Sequence, residues 1–112
     1  MANYTGNSPF TIPRPILFKN GVNAGRTITG TGVTLTQKDS WIQIMSNATG
    51  VTQDLTLQSP KNGLTYWIVN GSASTGNVAV KIASGTALAN LAADESVFVA
   101  SDGSDWYAIA NG

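Results

Sequence analysis

The residues of this chain best suited to chemistry are carboxylates, and most of them lie near the C-terminal end. Four of the six acidic residues fall in the last fifth of the sequence: Asp94, Glu95, Asp102 and Asp105. Two carboxyl groups held at a fixed separation can hydrolyse a glycosidic bond. The segment from Asp102 to Asp105 also resembles a fragment of a calcium loop, but calcium takes about six to eight oxygen ligands and only two carboxylates are present. A turn between two strands explains the same residues, and we predict that turn in place of a catalytic or metal site.

Two residue types that carry much of enzyme chemistry are absent, because the chain contains no histidine and no cysteine. It therefore lacks the commonest general base, the commonest transition-metal ligand and every thiolate nucleophile. A Ser-His-Asp or Cys-His catalytic arrangement is impossible. The glycine-rich segment 29–32 has no phosphate-loop spacing, and we interpret it as a bulged or tightly turned strand. We predict a protein that is not an enzyme and that holds no cofactor and no metal.

The other candidates for a binding site are three tryptophans: Trp41, Trp67 and Trp106. Aromatic rings stack on the flat faces of sugars, so these residues suit a small, neutral glycan-binding protein. The alternative is that each ring belongs to the core or to a subunit interface. Because side chains alternate along a strand, Trp41 is predicted to share a face with Gln43, and Tyr107 is predicted to share a face with Ile109. We favour core or interface positions over sugar binding.

The charge of the chain is low and balanced. Charged residues make up 11% of the sequence, with six basic side chains against six acidic ones, whereas an average protein carries about 25%. Nucleic acids and anionic lipid surfaces both require clustered lysine and arginine, so we predict no nucleic-acid partner and no membrane partner. No apolar run approaches the roughly 18 residues of a membrane span, and the N-terminus has no signal-peptide pattern.

Short apolar runs alternate with turn residues from residue 16 onward, and this pattern predicts β-strands. The runs are rich in β-branched and aromatic residues, as in segments 64–69 and 78–82. Asn-Gly at 70–71 and Asp-Gly at 102–103 favour tight hairpin turns. Segment 86–95 is predicted to be a strand and a loop, with one helical turn as the alternative. We therefore predict one domain over residues 16–112, an all-β antiparallel sandwich or barrel of the jelly-roll or β-tulip type.

Two recurring patterns also belong to such a fold. A polar loop of about five residues leads into a new strand three times, in segments 35–41, 57–64 and 91–97, and we interpret it as a recurring hairpin. Asn-X-Ser/Thr sequons begin at Asn3, Asn47 and Asn70. Asparagine, serine and threonine are abundant in turns, so we interpret these sequons as turn residues and not as glycosylation sites.

The first fifteen residues have a different composition and are predicted to form an extended arm. Three prolines in this segment fix their own backbone angles and disfavour helix in the residues before them. One interpretation is a frayed terminus. The other is an arm that lies on a partner, with apolar anchors at Phe10 and Ile12. The candidate contact residues are Pro9, Phe10, Ile12, Pro13, Arg14 and Pro15.

A pattern in the second half of the chain resembles a known family. An aromatic strand ends in Asn-Gly at 66–71, Asn-Val-Ala-Val follows at 77–80, and a leucine-containing loop runs from 91 to 96. A valine strand at 97–99 then leads into Ser-Asp-Gly-Ser-Asp-Trp-Tyr at 101–107. This arrangement resembles the β modules of tailed-bacteriophage virion proteins, which include head decoration (cement) proteins and tail-fibre domains.

The resemblance implies a trimer-forming β module on a virus particle. Decoration proteins clamp neighbouring major capsid proteins on the outer surface of the head after the shell expands. A chain of this length with an extended arm at its start suits that role better than the role of a long fibre. The resemblance therefore implies a homotrimer that is made in the host cytoplasm, binds the major capsid protein and stabilises the capsid. The alternative is a tail-fibre, receptor-binding or glycan-binding module.

Overall fold

This computed structural model describes residues 26–111, and nine β-strands but no helix occur within that range. The all-β prediction is confirmed, and segment 86–95 contains a strand in place of the alternative helical turn. The strands are β1 (Arg26–Thr27), β2 (Val33–Thr34), β3 (Ile42–Ser46), β4 (Gln53–Thr56), β5 (Thr65–Asn70), β6 (Val78–Lys81), β7 (Ala87–Leu91), β8 (Ser96–Ser101) and β9 (Trp106–Asn111).

The strands form two mixed sheets that pack on each other as in a β-sandwich. The five-stranded sheet has the order β1-β3-β5-β8-β9, and the four-stranded sheet has the order β2-β4-β6-β7. Successive strands from β1 to β6 therefore alternate between the two sheets. Within the described range no helix is long and apolar enough to cross a membrane.

The predicted antiparallel jelly-roll or β-tulip arrangement is wrong for four of the seven strand pairs in the described range. β1, β3 and β5 are parallel, and so are β2, β4 and β6. Parallel neighbours need a crossover connection, and here each crossover is a strand of the opposite sheet. One strand from each sheet, such as β1 and β2, therefore makes one turn of the chain around the core. The next two strands, β3 and β4, pair with them in parallel. Antiparallel pairing is confined to β5–β8, β6–β7 and β8–β9.

The predicted hairpins at the polar loops and at Asn-Gly 70–71 are also wrong. Segments 35–41, 57–64 and 91–97 each carry the chain from the four-stranded sheet to the five-stranded sheet. At Gly71 the chain leaves the five-stranded sheet for the four-stranded one. Turn residues mark where a strand ends, but they do not determine which strand becomes the partner. The Asp-Gly turn at 102–103 does join two paired strands, β8 and β9.

The core lies between the sheets and includes one stacked aromatic pair. Tyr66 and Trp106 are stacked with ring centroids 6.1 Å apart. The Tyr66 hydroxyl donates to the carbonyl oxygen of Thr36 at 2.5 Å. Burial, together with the negative charge of Asp39, raises the pKa of Tyr66 to about 12. The hydroxyl therefore stays protonated near neutral pH and remains a donor. The buried core residues are Ile28, Leu35, Met45, Leu55, Leu57, Tyr66, Ile68, Val78, Val80, Ala89, Leu91, Val97, Val99 and Trp106.

Two buried asparagines hold the corners of the sandwich. The Asn47 amide nitrogen donates to the carbonyl oxygens of Val51 at 3.0 Å and of Asn77 at 2.7 Å. The Asn70 amide nitrogen donates to the carbonyl oxygens of Gly76 and Leu91. Both side chains are fully buried. Asn47 follows β3 and Asn70 is the last residue of β5, and in this fold neither amide is accessible for attachment of a glycan. The sequon at residue 3 lies outside the described range.

Candidate functional site

The acidic residues of the C-terminal fifth stabilise turns. Asp102 Oδ1 accepts hydrogen bonds from the backbone N–H groups of Ser104 and Asp105, both at 2.9 Å. These backbone donors lower the pKa of Asp102 below its usual value. Glu95 Oε1 accepts a hydrogen bond from the backbone N–H of Ala92 at 2.8 Å. Asp94 takes a positive φ of 71° in the same turn. The predicted turn is confirmed, and no cluster of three metal-ligating side chains occurs within residues 26–111.

Trp106 is part of the core. Its side chain is 5% exposed, and the indole N–H donates to the carbonyl oxygen of Gln58 at 2.9 Å. One face of the ring stacks on Tyr66. A sugar ring cannot reach this side chain, so Trp106 takes the core position that the sequence favoured.

Trp41 and Trp67 lie on the opposite side of the five-stranded sheet, where they form an aromatic cluster with Phe98. The ring centroids are 6.4 Å apart for Trp41 and Trp67, 6.4 Å for Trp41 and Phe98, and 6.0 Å for Trp67 and Phe98. All three pairs meet edge to face, the preferred geometry of aromatic pairs. The Trp41 indole N–H donates to Thr65 Oγ1 at 2.9 Å. These contacts hold the Trp67 ring in place although it is 44% exposed.

The predicted pairing of Trp41 with Gln43 on one face is wrong. Gln43 points into the core and is fully buried, whereas Trp41 contacts rings on the outer surface. The reason is that β3 begins at Ile42, so Trp41 lies before the strand and does not follow its alternation. The pairing of Tyr107 with Ile109 is consistent with the structure, in which both residues are about half exposed.

The aromatic cluster is the centre of a larger apolar surface, which we call the aromatic face. It consists of the outward positions of β3, β5, β8 and β9. Ile42, Trp67 and Phe98 form one row across three neighbouring strands. No outward residue of these four strands carries a charge. The outward residues that form the aromatic face are Ile42, Ile44, Ser46, Thr65, Trp67, Val69, Ser96, Phe98, Ala100, Tyr107 and Ile109.

The outer side of the four-stranded sheet has the opposite character. Its outward positions include Thr56, Asn90 and an ion pair between Lys81 and Asp54 at 3.1 Å. Such a surface is well solvated and needs no partner. The difference between the two outer sides shows that the aromatic face is a specific feature and not the general character of the protein surface.

No family model, no curated protein and no solved structure matches this chain. The aromatic face and the resemblance of residues 64–110 are the two observations that bear on function. The predicted arm contacts at residues 9–15 lie outside the described range. Phe98 was not predicted from the sequence to be a site residue. The available signal was the run Ser-Val-Phe-Val-Ala-Ser at 96–101, in which both alternating sides contain apolar residues.

Proposed function

We propose that this protein is a structural, non-catalytic component of a tailed-phage virion. In this proposal it is a decoration protein that binds the major capsid protein on the outer surface of the head and stabilises the shell. The observation that carries the proposal is the aromatic face, a mostly apolar surface on one side of a sandwich whose other side is polar. Its own side chains carry no charge, and at its β9 edge the Tyr107 hydroxyl donates to the Asp102 carboxylate at 3.2 Å. Contiguous apolar surfaces of this kind mark protein–protein contacts. The resemblance of residues 64–110 to phage virion modules supplies the biological setting.

A protein partner suits the aromatic face better than a sugar does. Glycan sites combine an aromatic ring with polar side chains that hydrogen-bond the sugar hydroxyls. The cross-strand neighbours of Trp67 are Ile42 and Phe98, which offer no hydrogen bond. The nearby hydroxyl of Thr65 already accepts the indole N–H of Trp41. Next to Trp67 the face therefore supplies contact area but few hydrogen-bonding groups, whereas the hydroxyls of Ser46, Ser96 and Tyr107 lie on other cross-strand rows.

The proposed contact with the shell also includes the arm. Residues 9–15 would lie along the capsid surface, with Phe10 and Ile12 as apolar anchors. A homotrimer presents three arms at once, and linked contacts bind far more tightly than one contact alone. Weak individual arms would then hold the protein firmly at the joints between capsid proteins.

Deletion of residues 1–15 tests the role of the arm. The shortened protein is expected to keep the circular dichroism spectrum and the oligomeric mass of the full chain. Its affinity for expanded shells of the encoding phage is expected to fall by about a hundredfold, because the linked arm contacts are lost. Co-sedimentation with shells measures this effect. A matched control keeps the arm but exchanges Asn7 and Ser8, which lie outside the apolar anchors, and it should bind like the full chain. Unchanged binding by the deletion variant would remove the arm from the interface.

The alternative is a tail-fibre or receptor-binding module. The observation in its favour is the 44% exposure of Trp67, whose ring is accessible to a flat ligand. This alternative places the protein on the tail and not on the head, so the location of the protein on the particle separates the two proposals.

A further inference from the structure

Asn62 and Gly63 lie at the tip of the loop that joins β4 to β5. The backbone N–H of Leu64 donates to the carbonyl oxygen of Lys61 at 3.1 Å, which closes a β-turn around the pair. Gly63 takes a φ of 82°, the positive value that a type II turn requires at its third residue. Both central residues are exposed. The turn therefore presents an asparagine amide to water directly before a residue that has no side chain.

Asparagine followed by glycine can convert itself into an acid without an enzyme, and asparagine is among the thermolabile residue types. The backbone nitrogen of the glycine attacks the Cγ atom of the asparagine and forms a cyclic imide. The Cγ–Nδ2 bond breaks, and the amide nitrogen leaves as ammonia with the proton of the attacking nitrogen. Water then opens the ring at either carbonyl carbon, which gives aspartate or isoaspartate. Glycine favours the attack because it has no Cβ atom beside the nitrogen.

Asn-Gly occurs four times in the chain, at 20–21, 62–63, 70–71 and 111–112. The pairs at 62–63 and 70–71 lie wholly within the described range, and the fold treats them differently. Asn70 is fully buried, and its amide nitrogen donates to two backbone carbonyl oxygens at 3.0 and 3.1 Å. The backbone N–H of Gly71 donates to the carbonyl oxygen of Met45 at 2.8 Å. This pair cannot reach the geometry of attack unless the corner of the sandwich opens.

The pair at 62–63 meets fewer obstacles. Within residues 26–111 the exposed Asn62 side chain has no hydrogen-bond partner. A Cβ atom at Gly63 would meet no atom within 4 Å, so there is room for the ring to form. The backbone N–H of Gly63 donates to the carbonyl oxygen of Ser101 at 3.1 Å and must leave it before reacting. Exposed loop tips open more easily than buried corners.

We propose that Asn62 is a site of spontaneous modification, at which the folded protein slowly acquires aspartate or isoaspartate, whereas the fold protects Asn70. The new carboxylate is ionised near neutral pH, because aspartate has an ordinary pKa of about 3.9. The formal net charge of the chain then changes from zero to −1, since seven acidic side chains face six basic ones.

The modification falls next to the turn that Asp102 stabilises. A Cβ atom at Gly103 would lie 3.5 Å from the Cβ atom of Asn62, so the two loops are in contact. A carboxylate at residue 62 therefore adds a negative charge beside Asp102 and Asp105, and like charges repel. Isoaspartate also lengthens the backbone of the β4–β5 loop by one methylene group. Both products weaken the contact between these two loops.

Incubation of the full chain in a mildly alkaline buffer tests the proposal. Samples taken over time are digested with pepsin under acidic conditions, and fragment masses locate each conversion from the mass difference between an NH2 and an OH group. In the folded protein, Asn62 is expected to convert at least about tenfold faster than Asn70, because the buried pair must first open. In urea, where the fold no longer protects either pair, the two rates should be similar. The control Asn62→Gln keeps an exposed amide, but its longer side chain forms the ring poorly, so residue 62 should stay unconverted.

Two results would overturn the proposal. One is an Asn62 that remains an amide in the folded protein over the time in which it converts in urea. The other is equal conversion of Asn62 and Asn70 in the folded protein, with circular dichroism showing that the chain stays folded during the incubation.

Discussion

Replacing Trp106 with alanine is expected to lower the free energy of unfolding by about 4 kcal/mol, the usual effect of removing a large buried aromatic side chain. The substitution leaves a cavity beside Tyr66 and removes the hydrogen bond to the carbonyl oxygen of Gln58. Replacing Trp67 with alanine is expected to lower it by only about 1 kcal/mol, because that ring is 44% exposed and loses mainly its edge contacts.

Urea unfolding followed by circular dichroism measures both effects without relying on tryptophan fluorescence. The measurement is made at a concentration at which the chain is monomeric, so that association does not add to the stability. Similar losses of unfolding free energy for the two variants would contradict the assignment of Trp106 to the core and of Trp67 to the exposed aromatic face.

The substitution Gly76→Ala is expected to destabilise the protein by about 3 kcal/mol, at the upper end of the usual range for overpacking. A Cβ atom at this position would lie 2.2 Å from the carbonyl oxygen of Val51 and 2.7 Å from the amide nitrogen of Asn47. Both atoms belong to the corner that the Asn47 side chain holds, so the backbone there must move and its hydrogen bonds must lengthen.

Gly30→Ala is the matched control for this substitution. A Cβ atom at Gly30 meets no atom within 4 Å, so the change in stability should stay within about 0.5 kcal/mol. Thermal unfolding measures both variants, and the midpoint of Gly76→Ala should fall by about 10–20 °C in a domain of this size. Equal midpoints for the two variants would contradict the close approach at this corner.

The strands could be predicted from the sequence, but their partners could not. Alternation in segments such as 65–70 and 96–101 reveals strands and their two sides, because it depends only on local geometry. Parallel stacking of β1, β3 and β5 depends on contacts between residues far apart in the sequence. Asn-Gly at 70–71 is a strong local hairpin signal, yet the chain crosses there to the other sheet. The Asn70 amide is held at this corner by the carbonyl oxygens of Gly76 and Leu91, and Leu91 is distant in the sequence.

The candidate site was predictable to the same limited extent. The turn around Asp102 follows from local hydrogen bonds, and it was predicted. The aromatic face requires Trp41, Trp67 and Phe98 to meet, which depends on the adjacency of β3, β5 and β8. No local pattern specifies that adjacency. Trp41 was predicted to share a face with Gln43, and that prediction was wrong because the first residue of a strand cannot be fixed from propensity alone.

Immunogold electron microscopy of intact phage particles, with antibodies raised against this protein, tests the central claim most directly. A capsid decoration protein is expected to give label spread regularly over the heads, at the positions where neighbouring capsid proteins meet. Label confined to tails or fibres would contradict the decoration role and support the receptor-binding alternative. Particles without any label would contradict a structural role in the virion.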